Sequence, residues 1–248
     1  MTLADRPLAV VTGASSGIGF AVAQRLAAMG YNLAICARRE APLNQAAHQL
    51  TRQQATVFAQ SVDLTQDAQI LDFFAAIQAK FGRLDVLVNN AGLGHKASLL
   101  DGATADWRNM LEVNVLALSI CTREAIQRMQ ANNTAGHIVH ISSMSGHRVP
   151  GMGMYAATKF AVRALTEGLR KELRAAGSPI RVSSISPGIV ETEFAARYHQ
   201  DPEQAKAVYS QFPVLQPADI ANAVAYALEQ PEHVQVHDIL VRPTQQVS

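Results

Sequence analysis

The stretch VVTGASSGIG, Val10–Gly19, decides the fold of this 248-residue chain, because three closely spaced glycines follow an apolar run. Gly13, Gly17 and Gly19 are three of only 15 glycines in the whole chain. A strand that turns sharply into a helix needs residues without a Cβ at the bend, where a phosphate approaches, and where helix and strand pack closely. The three glycines can fill these roles, although alone they are equally consistent with a plain tight turn.

Short apolar runs alternate with longer helical patterns along the rest of the chain. Seven runs have the length and composition of strands: Leu8–Thr12, Asn32–Cys36, Ala55–Gln60, Asp85–Asn90, His137–Ser142, Ile180–Ser186 and Val236–Val241. Helical segments between them include Gly17–Met29, Gln66–Phe81, Tyr155–Ala175 and Pro217–Glu229. Short strands separated by helices indicate βαβ units. We therefore predict an α/β fold of the Rossmann type, a doubly wound seven-stranded parallel sheet with helices on both faces.

No linker interrupts this alternation, so we expect a single domain over residues 1–248. Residues 190–213 depart from this alternation of strands and helices, because the stretch is long, polar and aromatic. It follows the sixth strand. Ligands of open α/β sheets bind at the carboxyl edge of the strands. We interpret residues 190–213 as an insertion that forms a substrate lid, with an ordinary surface helix pair as the alternative.

Composition and charge argue against several classes of protein. The net charge of +1 implies no nucleic-acid partner. No run approaches the roughly 20 apolar residues of a membrane span, and no signal-peptide pattern is seen, so we expect a cytoplasmic protein with no membrane partner. Cys36 and Cys121 are isolated in sequence, and His137 and His140 would point to opposite faces of a strand. The sequence therefore predicts neither a disulfide nor a metal site.

The stretch TGASSGIG resembles the glycine signature of the short-chain dehydrogenase/reductase family, and further motifs of that family follow in order. They are NNAG at Asn89–Gly92, Asn114 in LEVNVLA, a serine pair after the fifth strand, Tyr155 and Lys159 in YAATK, and SPG at Ser186–Gly188. SGHRVP and the C-terminal run resemble a branch of small NADP-linked reductases, which favours a small or hydrophobic carbonyl substrate. The chain is thus identified as a member of this family.

The resemblance implies an oxidoreductase that transfers a hydride between a nicotinamide cofactor and a ketone, an aldehyde or a secondary alcohol. Tyr155 is then the catalytic acid/base, and Lys159 shares its helix face four residues later. A nearby ammonium favours a phenolate, so we expect Lys159 to lower the Tyr155 pKa. Ser143 would stabilise the substrate oxygen, and Asn114 would hold a water linked to Lys159.

Ser143 is preferred to Ser142 as the catalytic serine. The family's serine precedes a glycine by three positions, which here is Gly146, and adjacent strand residues point to opposite sides. The spacing from Ser143 to Tyr155 is one residue shorter than the resemblance implies, so the loop between them is expected to follow a different path.

The resemblance also implies the residues that bind the cofactor. The glycine turn contributes Gly13, Ser15, Ser16, Gly17, Ile18 and Gly19. The adenosine side contributes Arg38, Arg39, Asp63, Leu64, Asn90, Ala91 and Gly92. The nicotinamide side contributes Tyr155, Lys159, Pro187, Gly188, Val190 and Thr192. Asp63 would contact the adenine, cap the helix that begins near it, or do both.

The end of the second strand indicates which nicotinamide cofactor is used. An NAD enzyme usually offers an acidic residue here to the ribose hydroxyls, but this chain has Ala37, Arg38 and Arg39. Ala37 leaves space for a 2′-phosphate and Arg38 can bind it with a planar charged fork, so we predict NADP(H), with NADPH preferred over NADH. An NAD-preferring dehydrogenase and a non-catalytic NAD(P)-binding regulatory protein stay open as alternatives.

The helix that carries Tyr155 is apolar on more than one face, which suggests contacts beyond the chain's own core. By resemblance this helix pairs with its symmetry mate, so we expect a homodimer or a homotetramer. Its small and apolar residues include Ala157, Phe160, Ala161, Ala164, Leu165 and Gly168. The substrate side of the pocket is expected to use Leu93, His95, His147, Met152, Met154, Phe194 and Tyr198.

Overall fold

A computed structural model of the chain describes residues 6–53, 55–149 and 153–247, and seven parallel strands form one sheet in it. The strands are β1 Leu8–Thr12, β2 Asn32–Ala37, β3 Val57–Ser61, β4 Val86–Asn89, β5 His137–Ile141, β6 Arg181–Pro187 and β7 Asp238–Val241. Their order is β3-β2-β1-β4-β5-β6-β7. The order reverses between β1 and β4, where such folds open a crevice at the carboxyl ends of the strands. The predicted sheet is confirmed.

Nine α-helices lie in the described part of the chain. They are α1 Gly17–Ala28, α2 Glu40–Thr51, α3 Asp67–Phe81, α4 Thr104–Leu111, α5 Leu118–Ala131, α6 Met154–Ala175, α7 Phe194–His199, α8 Pro202–Tyr209 and α9 Pro217–Glu229. A π-helix, Glu112–Ala117, joins α4 to α5, and a short 3-10 helix, Met144–Gly146, follows β5. The π-helix was not predicted.

Alternate residues of each inner strand enter two separate cores. Ala9 and Val11 of β1 pack in the core that α1, α2 and α9 cover, whereas Leu8 and Val10 pack in the core under α3, α5 and α6. All of β1 is buried as a result. A strand covered on both faces carries a continuous apolar run, which is why the sequence shows no polar alternation here.

Two histidines of β5 lie in these cores, on opposite faces of the strand as predicted. His137 Nε2 lies 2.8 Å from Ser183 Oγ, and the ring nitrogens of His140 lie 3.3 Å from Thr122 Oγ1 and 2.8 Å from Thr166 Oγ1. Burial lowers the pKa of both histidines to about 3. Both rings are therefore neutral, hydrogen-bonded parts of the core at neutral pH.

No metal centre is formed by the cysteine, histidine or acidic side chains of the described residues. Cys36 and Cys121 are free and buried. Among the residues that the structure describes, no three or more His, Cys, Asp or Glu side chains are grouped so that they could hold a metal ion. In the same part of the chain, no helix is both long enough and apolar enough to cross a membrane.

The buried histidines predict that stability falls in mild acid. The unfolded chain takes up protons at these histidines below their ordinary pKa of about 6.5, whereas the folded protein does not until about pH 3. Urea unfolding from about pH 6.5 to about pH 5 should therefore show a free energy of unfolding that drops by up to about 1.4 kcal/mol per pH unit for each histidine. The variant His140→Gln should lose part of this slope, and His48→Gln on the exposed surface of α2 should keep it. A flat profile in the parent protein would contradict the prediction.

Candidate active site

The carboxyl ends of the strands open into one cavity of about 980 Å³. Its walls come from the glycine turn, the end of β2, the segments after β4, β5 and β6, residues 193–212, and the tail that follows β7. Of the cofactor residues expected from the sequence, every one except Gly19 lines this cavity. The structure thus brings together residues that are up to 179 positions apart, from Gly13 to Thr192.

The glycine turn joins β1 to α1 in a conformation that favours glycine. Gly13 and Gly17 have φ angles of 66° and 56°, in the left-handed region that residues with a Cβ adopt only at a cost. A Cβ on Gly19 would lie 2.3 Å from Asn90 Nδ2 and 2.4 Å from the Gly13 oxygen. Gly19 therefore acts through close packing of α1, which explains why it does not line the cavity.

Ser143, Tyr155 and Lys159 lie together in the cavity wall. Ser143 forms a hydrogen bond with the Tyr155 hydroxyl, and its Oγ also accepts one from Ser145 N at 3.1 Å. Lys159 is buried, and its Nζ lies 5.9 Å from the centre of the Tyr155 ring while it donates to the Ile141 carbonyl at 3.1 Å. The structure therefore places a hydroxyl, a phenol and an ammonium in one cluster.

The second serine of the pair has a different environment. Ser142 is 4% exposed, and its hydroxyl finds no hydrogen-bond partner among the described residues. Although both serines border the cavity, only Ser143 is in hydrogen-bonding contact with Tyr155.

The acidity of Tyr155 differs from the sequence-based expectation. Burial raises its pKa to about 12, and the hydrogen bond from Ser143 opposes this only in part. Burial also lowers the pKa of Lys159 to about 8. The expected lowering of the Tyr155 pKa is wrong for this structure, because the loss of solvent around the buried phenol raises it. Tyr155 is a neutral phenol at pH 7, able to donate a proton.

Asn114 lies in the π-helix and braces the loop after β4. Its Oδ1 accepts from Leu93 N at 2.9 Å, and its Nδ2 donates to the Leu93 carbonyl at 2.8 Å and to Thr158 Oγ1 at 3.0 Å. It does not line the cavity. Gly92 lies close to both Asn114 and Lys159, since a Cβ there would lie 3.4 Å from Asn114 Oδ1 and 3.5 Å from Lys159 Nζ. The water relay through Asn114 stays a prediction.

Asp63 lines the cavity, but it is not a helix cap. Its Oδ1 accepts hydrogen bonds from Thr65 N at 3.0 Å and from Thr65 Oγ1 at 2.9 Å. The helix α3 begins at Asp67 with Gln66 at its N-cap. The capping alternative is therefore wrong, because the carboxylate closes a local turn before the helix starts.

Two aromatic residues of α7 cover Tyr155. The ring centres of Phe194 and Tyr198 lie 5.3 Å and 6.4 Å from that of Tyr155. The loop after β4 can approach them because Gly94 has no side chain: a Cβ there would lie 2.9 Å from Phe194 Cζ and from Tyr198 Cδ2. Residues 190–213 therefore contribute an apolar cover to the candidate catalytic cluster.

Two polar residues that hold this cover in place were not predicted. The Tyr209 hydroxyl donates to the Thr192 carbonyl at 2.8 Å and accepts from Ala195 N at 3.3 Å. Gln246 Oε1, in the tail after β7, accepts from Ile189 N at 2.9 Å. No motif marks either residue in the sequence. The polar, aromatic character of residues 190–213 was the only available signal for Tyr209.

The expected substrate-side residues divide into two groups. Leu93, Phe194 and Tyr198 line the cavity, whereas His95, His147 and Met154 do not. His95 Nε2 lies 3.0 Å from Asn109 Oδ1, and His147 Nε2 lies 3.0 Å from Ser186 Oγ, so both histidines have local partners instead. Met152 lies outside the described residues, as does part of the shortened loop between Ser143 and Tyr155.

Comparison with known proteins assigns this site to a family. A family model described as short chain dehydrogenase matches residues 7–203. Dehydrogenase/reductase SDR family member 11 from Homo sapiens is 48% identical over 248 residues, which cover 97% of this chain and 95% of the relative. The chain belongs to the short-chain dehydrogenase/reductase family. The protein is therefore an oxidoreductase of this family, as its motifs imply.

Other members of the short-chain dehydrogenase/reductase family extend the likeness. Farnesol dehydrogenase from Aedes aegypti is 40% identical over 241 residues, which cover 95% of each protein. The closed form of a serine dehydrogenase complexed with NADP+ has a TM-score of 0.89 at 30% identity, and the match covers 97% of this chain and 96% of that one. A family member from Burkholderia phymatum in complex with NAD has a TM-score of 0.87 at 29% identity, covering 97% and 90%. Solved relatives thus bind both nicotinamide cofactors.

Proposed function

We propose that the protein is an NADP(H)-dependent oxidoreductase that transfers a hydride between the nicotinamide and a ketone, an aldehyde or a secondary alcohol. The observation that carries this proposal is the cluster of Ser143, Tyr155 and Lys159 in the cavity that the glycine turn and Arg38 also line. A regulatory protein that only binds the cofactor has no need of this cluster.

The residues of the cavity fit a dinucleotide. Gly13 and Gly17 keep the turn free of side chains, and the N-terminal amides of α1 can bind a pyrophosphate. At one end of the cavity Arg38 and Arg39 offer positive charge. The nicotinamide, when bound, supplies or accepts the hydride.

Tyr155 and its neighbours can handle the proton that accompanies the hydride. The neutral Tyr155 phenol can donate its proton to a carbonyl oxygen, with Ser143 hydrogen-bonded to the same oxygen as charge develops there. The Lys159 ammonium, 5.9 Å from the ring centre, then stabilises the phenolate that remains. In the opposite direction, the phenolate accepts the proton of an alcohol.

The lining of the cavity near Tyr155 favours a hydrophobic substrate. Phe194 and Tyr198 lie against Tyr155, and the cavity wall also includes the apolar side chains of Leu93, Val113, Met144 and Phe212. A relative named farnesol dehydrogenase agrees with an apolar alcohol or carbonyl compound. We infer that residues 190–213 act as a lid within one catalytic domain, because α7 places two aromatic rings over Tyr155.

The variant Tyr155→Phe tests the acid/base. It removes the hydroxyl and keeps the ring, so NADPH should bind with unchanged affinity while kcat falls by roughly a hundredfold or more. Steady-state rates with a panel of ketones and NADPH titrations measure the two effects separately. The matched control is Tyr226→Phe on the exposed surface of α9, which should keep the parent's rate. Near-normal turnover in Tyr155→Phe would mean that another group supplies the proton.

The end of β2 supports a preference for NADPH. Ala37 borders the cavity without a carboxylate, and Arg38 is exposed there. Within the described residues no ion pair or hydrogen bond engages the Arg38 guanidinium, so it is available to a phosphate. A carboxylate at position 37 would repel a 2′-phosphate, whereas the guanidinium can bind it through two charge-assisted hydrogen bonds.

The variants Arg38→Ala and Ala37→Asp test this preference. Two charge-assisted hydrogen bonds at roughly 1.5 kcal/mol or more each predict that the parent uses NADPH at least about a hundredfold better than NADH in kcat/KM. Arg38→Ala should remove most of that ratio, and Ala37→Asp should shift it toward NADH. Equal use of both cofactors by the parent would show that the residues at the end of β2 do not recognise the 2′-phosphate.

The exposed face of α6 supports a homodimer or a homotetramer. Phe160 and Leu165 are 39% and 40% exposed, and Leu116 in the neighbouring π-helix is 50% exposed. The small residues Ala161 and Ala164 lie between them on the same face. We infer that this apolar stripe packs against the same helix of a second copy, since a two-fold interface uses one patch twice.

The variant Ala164→Arg tests this interface. Residue 164 is exposed in the single chain, so the variant should fold, but a charged side chain at the centre of the stripe should prevent pairing. Light scattering should give a dimer or a tetramer for the parent and a monomer for the variant. Gln78→Arg on the exposed side of α3 should leave the mass unchanged. A monomeric parent at micromolar concentration would contradict the inference.

A further inference from the structure

One carboxylate connects the two sides of the cavity. Glu193, directly before α7, lies in the proposed lid, and Arg39 directly follows Arg38 after β2. Arg39 Nη2 lies 2.8 Å from Glu193 Oε2, and Arg197 of α7 binds the same oxygen. These three residues line the cavity. The ion pair thus joins the lid to the strand end where the 2′-phosphate is expected.

The Arg39–Glu193 contact is a weak link. The two side chains are 47% and 51% exposed, and exposed ion pairs contribute little to stability. A phosphate that carries nearly two negative charges and offers three oxygens is a stronger partner for a guanidinium than one exposed carboxylate. We therefore expect a 2′-phosphate bound beside Arg38 to displace Glu193 from Arg39.

We propose that Glu193 is a specificity-determining residue, whose carboxylate competes with the 2′-phosphate of the cofactor for Arg39, so that NADPH releases the lid from β2 and NADH does not. The inference rests on the proposed use of NADPH. The phosphate that Arg38 is proposed to bind would lie beside Arg39, because the two arginines are neighbours in the chain. Once released, Glu193 keeps Arg197 as its partner, so the exchange leaves no charge unpaired.

Release of this contact matters for the substrate because of the next residue. Phe194 follows Glu193 directly, and its ring centre lies 5.3 Å from that of Tyr155. While Glu193 is bound to Arg39, the start of α7 is fixed in the position in which Phe194 covers the catalytic tyrosine. When Arg39 leaves Glu193 and binds the phosphate, the start of α7 is no longer tied to the end of β2. Phe194 can then move away from Tyr155, so the phosphate of NADPH helps to uncover Tyr155 for the substrate.

The variant Glu193→Gln keeps the shape of the side chain and removes its charge. We expect it to lower the Kd for NADPH by roughly two- to fivefold, the range of an exposed ion pair, and to leave the Kd for NADH unchanged. Fluorescence titrations of the full chain with each cofactor measure both constants. Glu203→Gln removes one charge from the exposed surface of α8 in the same lid and should change neither Kd.

Amide hydrogen exchange measures the lid directly. In the parent, the amides of residues 194–199 should exchange faster with NADPH bound than with NADH bound, and Glu193→Gln should abolish this difference. A Kd for NADPH that is unchanged or raised in Glu193→Gln, an equal shift for both cofactors, or equal exchange in the parent would overturn the inference. A different result would contradict the proposed cofactor preference itself: a parent protein that binds and uses NADPH and NADH equally well.

Discussion

The close approach of α1 to the ends of β1 and β4 is the constraint on which the site depends. The Asn90 side-chain amide donates to the Thr12 and Gly13 carbonyls, while Thr12 Oγ1 accepts from the backbone amides of Asn90 and Ala91. These contacts join β1 and β4 at the point where the sheet order reverses, and Gly19 lets the helix α1 pack directly on them. The floor of the cavity is therefore set by the core of the protein, whereas its walls combine the segments that follow the strands with side chains of α6 and α7.

Much of this arrangement could be predicted because it is local in sequence. The boundaries of the seven strands, and of the four helices that were given ranges from the sequence, agree with the predicted ones to within about two residues, since apolar runs and glycine turns act over short distances. Ser143 and Tyr155 were paired by motif, and the structure brings them into contact. Residues of the glycine turn were assigned in the same way and border the cavity.

The features that escaped prediction depend on contacts between distant parts of the chain. The raised Tyr155 pKa results from burial under Phe194 and neighbouring side chains, which the spacing of Tyr155 and Lys159 does not reveal. The π-helix leaves Asn114 facing Leu93, but its sequence reads as an ordinary helix. The bond from Ile189 to Gln246 spans 57 positions, and no pattern in the sequence marks it.

The wall formed by the tail after β7 has a consequence for how the protein becomes active during folding. Gly188 N donates to the Val241 carbonyl, and Ile189 N binds Gln246, so the segment after β6 is set only when β7 has docked at the sheet edge. Contacts of such long sequence separation form late, after local helices and turns. A growing chain can thus build the half that carries the glycine turn early, but it gains a complete pocket, and the stabilisation that a bound ligand adds, only after its last strand has joined.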